Sequence, residues 1–518
     1  MYINWQLLIT YAKEKMTMKQ LKHYLMLLTV LASIVLAPLT AFANSAASST
    51  PASSTSTATP ATDDSLQKIK QKGVLVVGTS AGYPPFEFTT KKDGKTEYVG
   101  FEMSLARQLA KDLGVKLEIK NMDFDSLLVA LESHKIDVAI AGINITPERE
   151  KSVDFSKTYH KGTKYFLIHK QDKDKYKDYM DFKGKTVGTE NGAMEYAMIK
   201  KYIPDVHEKG LAKWSSLVIA LQAHKLDGVL MDSATAKAFA QNNSDLYAFN
   251  SHMKVTSDGV AVALPKGANS LKAAVNKTVD KVNQEDLINK KWLPEAAKYM
   301  QTSQKTNTVA SYWTFFIKGV KYTLLITVLA VIVGFLIGIL FALMRLSDNK
   351  LLHSLAICYI EFIRGTPMLV QIMFVYFGIG AIIQSMPALV AGIIAVAINS
   401  GAYVAEIIRS GIQSLALGQT EAARSLGMTK QQTFRYIIMP QALKNIWPAL
   451  GNEFITLLKD SSLVSTIGVT ELMYQTQLVQ ADTYKGVLPL FITMMIYFFL
   501  TFTLTRILNH FEKKFKHA

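Results

Sequence analysis

The chain has 518 residues, 49% of them hydrophobic and 19% charged, with a formal net charge of +16 and a single cysteine. That length suits two or three domains rather than one. One cysteine, Cys358, excludes an intrachain disulfide framework and a cysteine-based metal site. In a soluble protein such a positive charge would point to nucleic acid. Here much of it lies beside apolar segments, where Lys and Arg mark the cytoplasmic side of a membrane protein, so no nucleic-acid partner is expected. His134, His160, His207 and His224 lack zinc spacing. They are read as surface residues, and no metal is expected.

Lys19, Lys22 and His23 precede an apolar run over 24–36, and Ala41-Phe42-Ala43 offers small residues for cleavage. That order reads as a secretory signal peptide over 1–43, with Met16 or Met18 as a further candidate start. The apolar run is short for a membrane span. Without a cysteine after it, a lipid anchor is not expected. Residues 44–63 are rich in Ser, Thr, Ala and Pro. Such a composition cannot bury a core and is expected to be a flexible leader.

From 64 to 300 the chain reads as a soluble α/β domain. Val74-Leu75-Val76-Val77-Gly78 is a buried-strand pattern, 100–113 has helical periodicity closed by Gly114, and 115–119 is a second strand. A helix over 126–131 and a third strand over 137–141 follow, and a second αβ unit runs from about Lys185 to Asp232. Strands alternating with helices predict parallel sheets in two lobes. The segment 259–264 is expected to return and complete the first lobe.

The motifs Gly82-Tyr83-Pro84-Pro85-Phe86-Glu87-Phe88, Gly100-Phe101-Glu102, Ala141-Gly142-Ile143-Asn144-Ile145-Thr146-Pro147-Glu148-Arg149 and Val153-Asp154-Phe155-Ser156 occur in this order. They resemble the polar amino-acid solute-binding proteins over residues 64–298, which implies a two-lobed, periplasmic-binding-protein-like fold of type II. A free amino acid presents a carboxylate, an ammonium and a side chain. The resemblance assigns the carboxylate to Arg149, whose planar guanidinium can donate two parallel hydrogen bonds. Read from local sequence alone, Arg149 is rather a solvated residue in a first turn capped by Thr146, with Pro147 at N1. Asp232 matches the ammonium partner, or else caps a helix. Backbone groups of Gly142 and Asn144 are expected to complete these contacts. Ala193 opens a helix whose free N–H groups can hold an anion, although relatives usually carry Thr there. Tyr83 and Phe124 match aromatic walls around the ligand side chain. Ser80 and Glu190 lie where relatives vary with substrate. Glu190 at the side-chain end would favour Arg or Lys over Glu, or it faces water. Hinges are expected near 156–165 and 249–254.

A polar stretch over 301–310 reads as a short linker, and 311–518 is mostly apolar. Five membrane spans are expected, at roughly 313–344, 354–384, 387–408, 444–468 and 487–509, each long enough for a bilayer core of about 30 Å. With the binding domain outside, Arg345, Lys350, Arg409, Arg424, Lys430, Arg435, Lys444 and Arg506 fall inside, as the positive-inside rule requires. Glu421-Ala422-Ala423, Gly427, Ile437 and Met439-Pro440 have the spacing of the EAA loop (421–440) of ABC importer permeases. Glu361-Phe362-Ile363-Arg364-Gly365-Thr366-Pro367 and Leu458-Lys459-Asp460-Ser461-Ser462-Leu463 resemble the polar amino-acid branch of that family. The resemblance implies an all-α, five-helix permease domain that meets an ATP-binding subunit through Glu421, Ala422, Ala423 and Gly427. Glu361, Arg364, Glu406 and Asp460 are candidates for the translocation path, or else pair between helices. Gly334, Gly338, Gly378, Gly380 and Gly392 would allow close helix packing.

Gly184-Lys185-Thr186 has Tyr179 where a phosphate-binding loop needs its first glycine, so this chain is not expected to hydrolyse ATP or to be an enzyme. ATP and magnesium belong to the partner subunit, expected as a homodimer, and no cofactor is expected on this chain. The sequence thus predicts a plasma-membrane importer subunit with its binding domain outside and its EAA loop inside. Its expected cargo is a polar amino acid such as glutamine or arginine. The permease is expected to pair with a second copy, or with a different permease. A ligand-gated channel and a sensory enzyme share the binding fold, but neither fits an EAA loop after a completed binding domain.

Overall fold

The computed structural model describes residues 63–517 except 93–94, 256, 307–308, 384–385 and 484. The segment expected as a signal peptide (1–43) and, except for Asp63, the segment expected as a leader lie outside the described residues.

Among the described residues, twelve strands build the soluble half: β1 (Val74–Thr79), β2 (Phe88–Lys92), β3 (Lys95–Val99), β4 (Lys116–Asn121), β5 (Val138–Ala139), β6 (Val153–His160), β7 (Lys164–His169), β8 (Thr186–Glu190), β9 (His207–Leu211), β10 (Gly228–Asp232), β11 (Leu246–Asn250) and β12 (Val260–Pro265). One sheet has the order β4-β1-β5-β12-β6 and the other β11-β7-β10-β8-β9. The return segment does join the first sheet, where Ala263 of β12 pairs with Ala139. The sheets are mixed rather than parallel, because β12 runs antiparallel to β5 and β6, and β7 antiparallel to β10. β7 and β12 each arrive from the other sheet, β7 through a short crossover from β6, so no βαβ unit sets either one parallel to its neighbours. The second crossover is 251–259, so both lie close to the expected hinges. A β2–β3 hairpin stands apart from both sheets.

Helix Phe101–Leu113 ends at Gly114, whose φ of +70° gives the left-handed cap that glycine tolerates best. Its apolar face meets the sheet, burying Phe101, Leu105 and Leu109 with Val77 and Val138. The second lobe closes its own core around Phe166, Phe182, Val187 and Leu230.

The expected linker is largely helical. Helix Leu293–Thr306 runs through most of it, and Val309–Tyr312 forms a 3₁₀ turn leading into helix Trp313–Arg345. Three helical stretches, Val309–Arg345, Ala388–Gln413 and Val487–His510, are each long and apolar enough to cross a membrane. The stretch expected over 354–384 is bent by 106° between Lys350–Arg364 and Met368–Ile379. Gly365-Thr366-Pro367 lies at the break, where Pro367 has no N–H to continue a helix. The segment expected at 444–468 is helix Met439–Asp460 followed by a 3₁₀ stretch, Ser461–Ile467. With Lys444, Glu453, Lys459 and Asp460 it is less apolar than the others. Helix Leu472–Thr483, not anticipated from sequence, precedes the last apolar helix.

Helices Trp313–Arg345 and Ala388–Gln413 pack tightly along their length. A Cβ on Gly338 would sit 2.4 Å from the Val404 side chain, so only glycine fits. Gly380 does a different job, since its Cα faces the Lys135 side chain of the first lobe. The first lobe rests on the permease half here: the Lys135 ammonium donates to the Ile383 carbonyl at 3.1 Å.

Candidate functional site

The carboxyl ends of β1, β8 and β10 face one another across the two lobes, the usual place for a ligand in an open α/β sheet. Arg149 opens a 3₁₀ turn whose N-cap is Glu148 without a side-chain cap, rather than the Thr146 cap expected, although its amide approaches Thr146 Oγ1 at 3.4 Å. Its guanidinium is partly buried. It donates to the Asn144 carbonyl and, across the cleft, to the Gly192 carbonyl, each at 2.8 Å. It also lies 5.5 Å from the Phe124 ring centre. Burial lowers its pKa, opposed by the Glu195 and Glu148 carboxylates. Arginine has five N–H donors, so donors remain for a carboxylate.

Tyr83 also spans the lobes. Its hydroxyl accepts from the Asp232 amide at 3.0 Å, and its ring stacks on Trp214 at 4.8 Å. Tyr83 thus stacks on Trp214 and tilts against Phe86 at 4.9 Å, while Phe124 lies against Arg149. The Asp232 carboxylate caps helix Ser233–Asn242, accepting from the Ala234 amide at 2.9 Å. It also lies 3.8 Å from His160 Nε2. Burial raises its pKa, but the His160 contact and the Lys164 charge outweigh that and hold it below the usual carboxylate range. Gly162 is required here, because a Cβ would fall 1.8 Å from Asp232 Oδ2. His160 is thus no surface residue: it faces Asp232 and packs edge-on against Phe86.

Gly142 directs its amide at the Glu102 carboxylate (2.9 and 3.0 Å), which leaves its carbonyl toward Asn144 Nδ2 at 3.4 Å. Tyr159 donates to the same carboxylate at 2.6 Å. Burial, then the neighbouring Glu102, pushes Glu87 well above the ordinary carboxylate range.

At the other end of the cleft Glu190 is 3% exposed, and its Oε1 has no hydrogen-bond partner among the described residues. Burial pushes its carboxyl well up. Lys213 opposes that shift, and Asp123, Glu195 and Asp125 add to it. Lys213, from the second lobe, crosses the cleft to Asp123 (2.9 Å), the Met122 carbonyl (3.2 Å) and Ser80 Oγ (3.4 Å). Ala193 is the N-cap of helix Met194–Tyr202, with no side chain over its first turn. Lys164 and Glu195 form a buried ion pair at 2.6 Å behind Asp232. Lys213, Trp214, His160 and the Lys164–Glu195 pair were not anticipated, because their partners lie far away in sequence. The only sequence signal is a lone Lys-Trp at a helix start.

The EAA segment forms helix Leu417–Ser425, a turn at Gly427 with φ of +80°, and helix Lys430–Thr433 with a Thr429–Gln432 capping box. Glu421 and Ala422 face out, Ala423 is buried, and Leu426 is 83% exposed. Glu406 pairs with Arg345 at 2.9 Å and with Arg409, which joins two helices. Arg364 lies over the Tyr403 ring at 5.4 Å, Glu361 is exposed, and Asp460 is half-buried at a helix end. The four path candidates are not brought together by any ion pair or hydrogen bond among the described residues. No cluster of three or more potential metal ligands occurs among those residues either.

Residues 75–295 match the bacterial extracellular solute-binding proteins, family 3, and residues 334–517 match the binding-protein-dependent transport system inner membrane component. A putative glutamine transport system permease of Rickettsia typhi is 40% identical over 201 residues, which is 39% of this chain and 92% of that protein. An arginine transport system permease of Bacillus subtilis is 38% identical over 203 residues, 39% of this chain and 93% of that protein. A solved amino-acid ABC transporter substrate-binding protein of Streptococcus pneumoniae, bound to L-arginine, is 38% identical. It covers 45% of this chain and 98% of its own, with a TM-score of 0.44.

Proposed function

The chain belongs to the polar amino-acid ABC transporters, with the solute-binding and permease parts fused in one polypeptide, and on that premise we propose that it captures a polar amino acid outside the cell and passes it to its own membrane half. The observation that carries this is the set of groups crossing the cleft: Arg149 to Gly192, Tyr83 to Asp232 and Lys213 to Asp123. In this reading Arg149 holds the ligand carboxylate, helped by the open helix start at Ala193. Asp232 and the Gly142 and Asn144 backbone hold its ammonium. Tyr83, Phe124 and Trp214 pack on the aliphatic stem. Glu190, Asp123 and Asp125 outnumber Lys213 at the side-chain end, with Ser80 beside them. That balance favours a side chain rich in donors, such as glutamine or arginine, over glutamate.

Subunits of this family are not enzymes, and ATP hydrolysis resides on a separate polypeptide. We assign its docking place to Glu421, Ala422, Ala423 and Gly427, with Leu426 as the apolar contact. ATP and magnesium would bind there, on the partner, and this chain would hold no cofactor. The permease would act as a homodimer in the plasma membrane, with the binding domain outside and the EAA loop and C-terminus inside. Isothermal titration of the detergent-solubilised full chain against the common amino acids tests the reading. Saturable binding of glutamine or arginine, with glutamate weaker, is expected. Failure to bind any amino acid would overturn it.

A further inference from the structure

One short run of the first lobe touches three things at once. Phe124 lies beneath the Arg149 guanidinium. Met122 and Asp123 receive Lys213 from the second lobe. Asn121, the last residue of β4, faces the permease half and is 8% exposed. Its Oδ1 accepts from the Ala81 amide at 2.8 Å, next to Ser80 in the cleft, and its Nδ2 donates to the Tyr474 hydroxyl at 2.9 Å. Tyr474 is itself buried and shares a second hydrogen bond with Tyr98 at 3.2 Å.

Tyr474 belongs to helix Leu472–Thr483, and that helix is fixed to the first apolar helix. The Leu472 amide donates to Thr323 Oγ1 at 3.2 Å. Gly319 allows the approach, since a Cβ there would lie 2.7 Å from the Leu472 Cα. The second lobe reaches the same region independently. Ile219 presses on Gly486, where a Cβ would fall 1.9 Å from the Ile219 side chain. Both lobes are therefore gauged by one short permease segment, and their relative position decides whether both contacts form together.

We propose that Tyr474 reads closure of the ligand cleft through Asn121 and passes it to helix Trp313–Arg345. This rests on the importer reading above and assigns its coupling to particular atoms. Closure brings Lys213 onto Met122 and Asp123, which sets the adjoining Asn121 amide. Tyr474 bonds to Asn121 in that position only, and Leu472 with Thr323 transmits the seating to the membrane helix. Asn121 and Tyr474 act through other groups, so both are positioning residues. Sites linked in this way share a coupling free energy, and a double-variant cycle measures it.

The test is the ratio of ligand-stimulated to ligand-free ATP hydrolysis by the full chain with its ATP-binding partner in nanodiscs. Glutamine and arginine are the probes. Tyr474→Phe removes one hydroxyl and leaves the binding domain's sequence untouched. We expect the ratio to fall about 3- to 10-fold, the effect of one neutral hydrogen bond. Asn121→Ala should lower it similarly, and the double variant should lose little more than either single one. Saturable ligand binding should persist in Tyr474→Phe, which a misfolded chain would not show. A wild-type ratio in Tyr474→Phe, or fully additive losses in the double variant, overturns the relay. A wild-type chain that binds no amino acid would instead overturn the functional reading, and binding titration tells the two failures apart.

Discussion

Arg149 in one lobe donates a 2.8 Å hydrogen bond to the carbonyl of Gly192 in the other. The same guanidinium is fixed from behind by the Asn144 carbonyl. A charged, forked donor held at two points is set up to receive a carboxylate without further ordering. Arg149→Lys keeps the charge but loses the fork. Ligand affinity should fall about 10- to 100-fold on loss of one charge-assisted contact. Titration calorimetry on the full chain reads this, and an unchanged affinity would reject Arg149 as the clamp.

Glu190 should govern the choice between cationic and neutral side chains. Its Oε1 is buried and without a partner among the described residues, a costly state unless a donor arrives. Glu190→Gln should lower arginine affinity about 10-fold and glutamine affinity much less, because charge-assisted bonds are the stronger ones. Competition titration gives the ratio, and equal losses for both ligands would count against this assignment.

Asp482 makes the seating of the binding domain sensitive to pH. Its carboxylate accepts from the Thr89 hydroxyl across the junction. Burial pushes its pKa up to about 7, against the Thr89 and Tyr312 contacts that favour the ionised form. An unseated Asp482 would titrate near its ordinary 3.8. The seated state therefore binds the extra proton, so seating weakens as pH rises from about 4 to about 7 and is level above that. Asp482→Asn should flatten the dependence. Amide hydrogen-exchange protection of strand β2, corrected for the intrinsic pH dependence and compared at both ends of that window, reports the seating.

Leu426 stands 83% exposed at the turn of the EAA segment. Leu426→Asp and Glu421→Lys should abolish co-purification of the ATP-binding subunit or cut it at least 10-fold, while ligand binding stays within about twofold, since an apolar anchor at an interface centre commonly carries 2 kcal/mol or more. Retained co-purification would move the docking place elsewhere.

Much of this was readable from local pattern. The two lobes, the returning β12 segment and the left-handed turns at Gly114 and Gly427 follow from alternation and glycine placement. Helix Leu472–Thr483 was not readable, because it buries Gln475, Thr476, Gln480 and Asp482 among Leu472, Tyr474, Leu478 and Val479, which blurs the apolar stripe. Their partners, such as Thr89 and Thr493, lie elsewhere in the chain, so periodicity gives no signal. Helix Leu293–Thr306 was hidden for a related reason: its second half is polar and reads as a tether. The motifs singled out Arg149 and Asp232, and the structure places both at the cleft. Lys213 and Trp214 were not singled out, since only folding brings them to Asp123 and Tyr83. The strict alternation of strands and helices also hid the antiparallel strands β7 and β12.

The most direct measurement of the central claim is ATP-dependent uptake of labelled glutamine and arginine into proteoliposomes holding this chain and its ATP-binding partner. The account predicts accumulation with no added binding protein, and its loss in Arg149→Ala although the EAA segment is intact. Uptake that is equal in Arg149→Ala and wild type would contradict it, because the attached domain would then not be the donor to its own pore.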